Sequence, residues 1–272
     1  MLFRSTSAMI KVACNPPAYN AESIVNQGFP QLGLNGSSGP LQGFGISISD
    51  QMTTIPARVL HPPGVAYKSG RPNVKEASWN IVNVQFQRGG NMSNWAVLLV
   101  NQGVPIEFSG VNDPQLTSFL QTFAKKCRDS GMIVPNGPPN ILSTPILPPT
   151  EADGRAQGLK VIERTLKDNI QPRNKPSFIL VLLSKVDNYI YPGIKRLCDV
   201  DTGLTTVTML LNKARKDGPK QDQYFSNVAL KVNIKLGGIN HTLDPDSMAW
   251  LNRIPTMLVG IGKSPKVHID CQ

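Results

Sequence analysis

The chain has 272 residues, enough for about two domains that each bury a core. Its 28 Lys and Arg against 18 Asp and Glu leave a formal charge of +10, a balance that favours polyanionic partners. No apolar run approaches the ~18 residues that cross a bilayer, so a membrane-spanning protein is excluded.

Four cysteines (Cys14, Cys127, Cys198, Cys271) and three histidines (His61, His241, His268) lie far apart, without metal-ligand spacing. Neither a zinc site nor a disulfide framework is expected, and the thiols are expected to be buried in a reducing compartment. No apolar core follows Met1-Leu2-Phe3-Arg4-Ser5, so no secretory leader is expected, and the sequons at Asn35, Asn91 and Asn240 read as coincidences. The expected compartment is the cytoplasm, with the nucleus also open to such a chain.

Residues 1–75 are rich in Gly, Pro, Asn and Ser and have short apolar runs. They read as an extended interdomain linker, with short strands at Leu41–Ser49 and Thr54–Leu60. From Trp79 onward strands and helices alternate. Trp95–Val100 is a continuous apolar run, as in a strand buried on both faces. Asp113-Pro114 opens a helix, with Leu116, Phe119, Leu120, Phe123 and Cys127 at three- and four-residue steps and Gly131 at its end. The proline-dense stretch Val134–Thr150 reads as a loop. A helix is predicted over Arg155–Asp168, a strand over Phe178–Leu183, a helix from Pro192 to about Asp199 and a strand over Thr205–Leu211. Asn227–Leu236 alternates like a strand, yet the same residues make a helical stripe ending at Gly237. Period alone leans to the strand, while the βα rhythm favours the helix. The fold class is α/β: a Rossmann-like, mostly parallel sheet with helices on both faces.

Charge is concentrated near the C-terminal end. Between Gln171 and Asn240 there are eleven Lys and Arg against five Asp. A phosphate monoester needs several converging donors, which in parallel sheets usually gather at the strands' carboxyl ends and at helix N-termini. Phe178–Leu183 leads through the loop Ser184–Ile190 to Tyr191-Pro192-Gly193-Ile194-Lys195-Arg196, whose first-turn amides are expected to face an anion. Tyr191 can stack on a base while Lys195 holds a phosphate, the usual division of labour at a single-stranded end. Lys231 and Lys235 share a face whether their segment is strand or helix.

These blocks resemble the MID domain of eukaryotic Argonautes, most closely those of filamentous fungi. The matching residues are Tyr191, Lys195 and Arg196, then Ser226, Asn227, Lys231, Asn233, Lys235, Leu236, Gly237 and Gly238. The resemblance extends to Phe44-Gly45-Ile46, Asp50-Gln51-Met52, Arg58–Pro63, Tyr67 and Trp79-Asn80, which look like the linker between the PAZ and MID domains. It implies a linker over 1–75, a MID domain over 76–254, and the start of a PIWI-like strand in 255–272. It implies that Tyr191 stacks on the first base of a guide RNA and that Lys195, Lys231 and Lys235 bind its 5′-phosphate. The loop residues Lys185, Val186, Asp187, Asn188 and Tyr189 would set the base preference.

Two departures qualify the match. Val207 stands where many family members have a phosphate-binding glutamine, so that contact is lost or passes to Thr206 or Thr208. After Pro255–Ile261 the family's first catalytic aspartate does not follow, so no slicing is expected. Gly262-Lys263-Ser264 is not a P-loop, because Met257 stands where that motif needs a glycine. The chain is expected to be a monomeric, non-catalytic RNA 5′-end binder without cofactor, metal or membrane partner, with PAZ and PIWI domains as neighbours in a full-length protein. Two alternatives are a protein-interaction module and a small α/β nucleotide-binding enzyme. The second would need a glycine-rich βα turn or a nucleophile with a base partner, and neither is visible.

Overall fold

A computed structural model describes residues 14–34, 42–49, 51–57, 61–76, 78–81, 83–149, 155–171, 173–216, 218–251 and 253–257, with Met9, Val59 and Val259. The chain divides into two compact units, Met1–Leu60 and His61–Gln272. That division falls earlier than residue 75 because β1 (Val65–Ala66) pairs antiparallel with β6 (Thr242–Leu243) inside the second unit.

In the first unit, Pro17 starts helix α1 (Pro17–Ser23), which runs through a π-helical turn (Ile24–Gly28) into α2 (Phe29–Gln31). The two strands expected at Leu41–Ser49 and Thr54–Leu60 do not form among the described residues. Gln42–Phe44 make a 3-10 turn, and Ile46, Ile48 and Ile55 are exposed. A strand needs a neighbour for its backbone amides, and among the described residues none pairs with these segments. Leu41, Arg58 and Leu60 lie outside the described residues.

The second unit is built on a four-stranded parallel sheet in the order β3-β2-β4-β5. Its strands are β2 (Trp95–Val100), β3 (Asn140–Ser143), β4 (Phe178–Leu183) and β5 (Thr206–Leu210). β2 and β4 are buried along their whole length, as their unbroken apolar runs predict, and are in register from Trp95 against Phe178 to Val100 against Leu183. β3 is the element that the prolines concealed. It sits between Pro139 and Pro145 on the outside of β2, and an edge strand tolerates such flanks.

Helices cover both faces. α3 (Pro114–Asp129), capped by the Asp113 carboxylate on Gln115 N, and α7 (Pro219–Lys235) bury Phe119, Phe123, Phe225, Val228 and Val232 against Val97, Leu180 and Val207. On the other face α4 (Ala156–Asn169) and α5 (Ile190–Lys195) set Ile162, Leu166, Ile190 and Ile194 against Leu98, Ile179 and Val181. A π-helical stretch (Arg196–Thr202) prolongs α5, and the short α6 (Leu211–Ala214) follows β5. The ambiguous segment Asn227–Leu236 is therefore helix. It buries Val228, Ala229, Val232 and Asn233 and exposes Ile234, a spacing no strand produces.

After β6 comes the short helix α8 (Pro245–Met248). Of the strand expected at Pro255–Ile261, the described residues Pro255–Met257 and Val259 form none, and Met257 and Val259 are exposed. The rest, with Gly262-Lys263-Ser264, lies outside the described residues. No described helix is long and apolar enough to cross a membrane.

Candidate nucleic-acid interface

β4 ends at Leu183, and the loop that follows turns into α5. Asp187 shapes that turn: its Oδ1 accepts from Tyr189 N at 3.0 Å and Ile190 N at 2.9 Å, while its main-chain oxygen accepts from Tyr191 N. Burial works against the charge on Asp187. The Ile190 and Tyr189 amides and the Arg155 guanidinium outweigh it and hold the carboxyl below its usual range. The expectation that first-turn amides face an incoming anion is thereby corrected. The helix begins at Ile190, not Pro192, its amides already serve the protein's own carboxylate, and Pro192 has none to offer.

The lysines meet elsewhere than expected. Lys195 Nζ donates to Thr206 O at 2.8 Å and to Thr206 Oγ1 at 2.7 Å, and Lys235 Nζ donates to the same carbonyl at 2.9 Å. Thr206 opens β5, which has a neighbour on one side only, so its carbonyl points off the sheet. α5 and α7 lie on opposite faces, and their side chains can join only around this open edge. The cluster therefore sits at the edge, at the start of β5, and not at the strands' carboxyl ends. Among the described residues the counter-charge to Lys195 is Asp199, at 4.0 Å. Burial and the Lys235 ammonium lower the Lys195 pKa to about 8, against the partial support of Asp199.

The other predicted residues fall into three groups. Lys231 lies one turn before Lys235 on α7, exposed and with no described partner, and Tyr191 is 48% exposed one turn before Lys195. Val186 and Tyr189 are exposed in the loop, where Lys185 N is taken by Gln102 Oε1 and Asn188 stands beside the capped turn. Thr206 is fully buried and seats both lysines, whereas Thr208 Oγ1 is buried without a partner and touches neither. Val207 is 3% exposed and belongs to the core beneath β5.

Most of the second block is scaffold. Asn233 is fully buried, accepts from Gly90 N at 2.7 Å and donates to Asn240 Oδ1 at 2.8 Å. Gly237, at φ 77°, ends α7, and a Cβ on Gly238 would land on the Asn233 carboxamide. Arg155, Gln102 and Glu107, whose Oε1 accepts from Ser184 Oγ at 2.6 Å, were not anticipated, since each acts on a loop distant in sequence. Of the thiols, Cys127 and Cys198 are buried, and burial with Asp199 nearby pushes Cys198 up to about 11, whereas Cys14 is exposed. Among the described residues no group of His, Cys, Asp and Glu could hold a metal ion.

A family model described as the Argonaute linker 2 domain matches residues 19–67, and one described as the Piwi domain matches residues 178–267. Rice (Oryza sativa subsp. japonica) protein argonaute 1B is 29% identical over 248 residues, 88% of this chain and 20% of its own length. Rice protein argonaute PNH1 is 29% identical over 270 residues, 94% of this chain and 25% of its own. The chain thus spans about a fifth to a quarter of these curated relatives. The crystal structure of the C-terminal lobe of a budding yeast Argonaute matches with a TM-score of 0.53 at 22% identity, over 71% of this chain and 40% of that one. That likeness speaks for the fold, a Rossmann-like α/β sheet. With linker 2 sequence before the sheet and Piwi-domain sequence running through β4, β5 and α7, the chain is similar to Argonautes in both segments.

Proposed function

We propose that this region holds the 5′-phosphorylated end of a small single-stranded guide RNA in RNA silencing. Lys195, Lys235 and Lys231 grip the phosphate, Tyr191 stacks on the first base, and the turn Lys185–Tyr189 reads it. The observation that carries the proposal is the pair of ammoniums meeting on one carbonyl, with a single carboxylate 4.0 Å from one of them. A dianion placed there relieves their mutual repulsion and supplies charge-assisted acceptors. The site is one of binding and not of turnover, because ammoniums and a phenol ring provide no nucleophile with a base partner.

In this reading Val207 adds nothing to the phosphate, Thr206 serves it indirectly by seating the lysines, and PAZ and PIWI domains are neighbours of a monomeric, cytoplasmic protein. Within the family we place the chain nearest the filamentous-fungal members, on the blocks Tyr191–Arg196 and Ser226–Gly238. A second reading, a protein-interaction module, draws on the exposed Trp250, Ile254, Met257 and Val259.

The deciding experiment titrates 5′-phosphorylated against 5′-hydroxyl RNA of one sequence at fixed salt. The phosphorylated strand should bind at least about tenfold tighter, and Lys195→Ala should remove most of that advantage. Equal affinities that fade together with salt would leave only a basic surface and favour the interaction module.

A further inference from the structure

The loop between β4 and α5 is held at two points by groups that the phosphate site does not use. At its start, Gln102 Oε1 accepts from Ser184 N at 3.0 Å, Ser184 Oγ at 2.8 Å and Lys185 N at 3.1 Å. At its middle, Arg155 Nε donates to Asp187 Oδ2 at 3.0 Å, and the same guanidinium donates to Pro148 O at 2.6 Å. The two charged side chains are only 5% and 8% exposed. Arg155 reaches Asp187 from a left-handed backbone at the foot of α4, φ 76°, a conformation unfavourable for arginine.

A buried ion pair is a poor source of stability, because desolvation offsets the attraction, but it fixes geometry well. Here the geometry is that of a turn. With Asp187 pinned, its other oxygen takes the amides of Tyr189 and Ile190. No hydrogen bond among the described residues takes the N–H groups of Val186, Asp187 and Asn188. Three consecutive donors are thus presented in the turn that leads into the exposed Tyr191.

We propose that Arg155 is a positioning residue for base selection: by pinning Asp187 it fixes the turn 186–188, whose free amides read the first base of a bound 5′-phosphorylated RNA. The inference rests on the end-binding function proposed above. Arg155 touches neither phosphate nor base in this scheme, so its effect falls on the choice among bases and not on the grip of the phosphate.

The test uses the full chain, wild type and the double variant Arg155→Met/Asp187→Asn, with four 5′-phosphorylated RNAs that differ only in the first base and a 5′-hydroxyl counterpart of each. The double variant removes both charges, so neither is left buried alone, and the asparagine keeps an oxygen for the turn amides. A thermal melt by circular dichroism checks folding, and Arg155→Lys, which keeps the charge but cannot bridge Asp187 and Pro148 together, serves if the double variant does not fold. The wild type should separate the best from the worst base by about tenfold, and the variant should narrow that to about twofold while the phosphate advantage moves less than about threefold. An unchanged spread in the variant, or no spread in the wild type, overturns the role of Arg155. Equal binding of phosphorylated and hydroxyl strands by the wild type overturns the phosphate site instead, and the spread over bases is still read on the same strands.

Discussion

Lys195 gives up water for a buried carbonyl while a second ammonium faces it, and its depressed pKa of about 8 records the strain. An unfolded lysine holds its proton to higher pH, so between about 8 and 10.5 the unfolded chain binds more protons than the folded one. The stability of the unliganded protein should therefore rise with pH across that window, by up to about 3 kcal/mol, and Lys195→Met should flatten the rise in denaturant melts. A bound phosphate reverses the strain. Binding near pH 8 should take up a fraction of a proton, visible as a buffer-dependent enthalpy in calorimetry, and affinity should fall as pH climbs past 8. Of the proposed site, the single residues Tyr191, Lys195 and Lys235 are the easiest to pick out in the sequence, because charged and aromatic groups recur in spaced blocks, and the structure brings Lys195 and Lys235 onto one carbonyl. Arg155 and Gln102 do not stand out, because their partners lie 32 and 82 residues away and no local pattern links them.

At the level of elements, period and capping were enough wherever one face or both faces were buried. β2 and β4 follow from unbroken apolar runs, and α3 from Asp113, Pro114 and its apolar steps. The failures share a cause, that pairing is not encoded locally. β3 is a strand only because β2 offers a free edge, and the described residues of 42–57 are not strands because no described segment offers them one. The joint that fixes the turn after α3 against the segment before β2 depends on close backbone approach at Gly89, where an added Cβ would collide with the Gly131 carbonyl. Gly89→Ala should cost about 2–4 kcal/mol in chemical denaturation, since backbone must move on both sides. Gly43→Ala, whose Cβ meets nothing within 4 Å, should stay within about 0.5 kcal/mol.

Across the whole molecule, the division at Leu60/His61 follows an exposed stretch without regular structure, residues 51–57. Limited proteolysis should cut there first and leave a protected fragment beginning near His61, while early cleavage inside 95–235 would contradict the division. The concentration of basic residues toward α7 should make the phosphate-independent part of RNA binding salt-sensitive, losing about three- to tenfold between 50 and 200 mM salt if two or so backbone phosphates are contacted. The meeting of Lys195 and Lys235 on the edge carbonyl of Thr206 has a temporal consequence as well. The two lysines come from helices on opposite faces, so neither can find the other until β5 has docked and α7 has closed over it. A nascent polypeptide lacks this pairing of lysines until synthesis has passed α7, so under the proposed function capture of an RNA end would be a late event, open only to molecules whose sheet is already built.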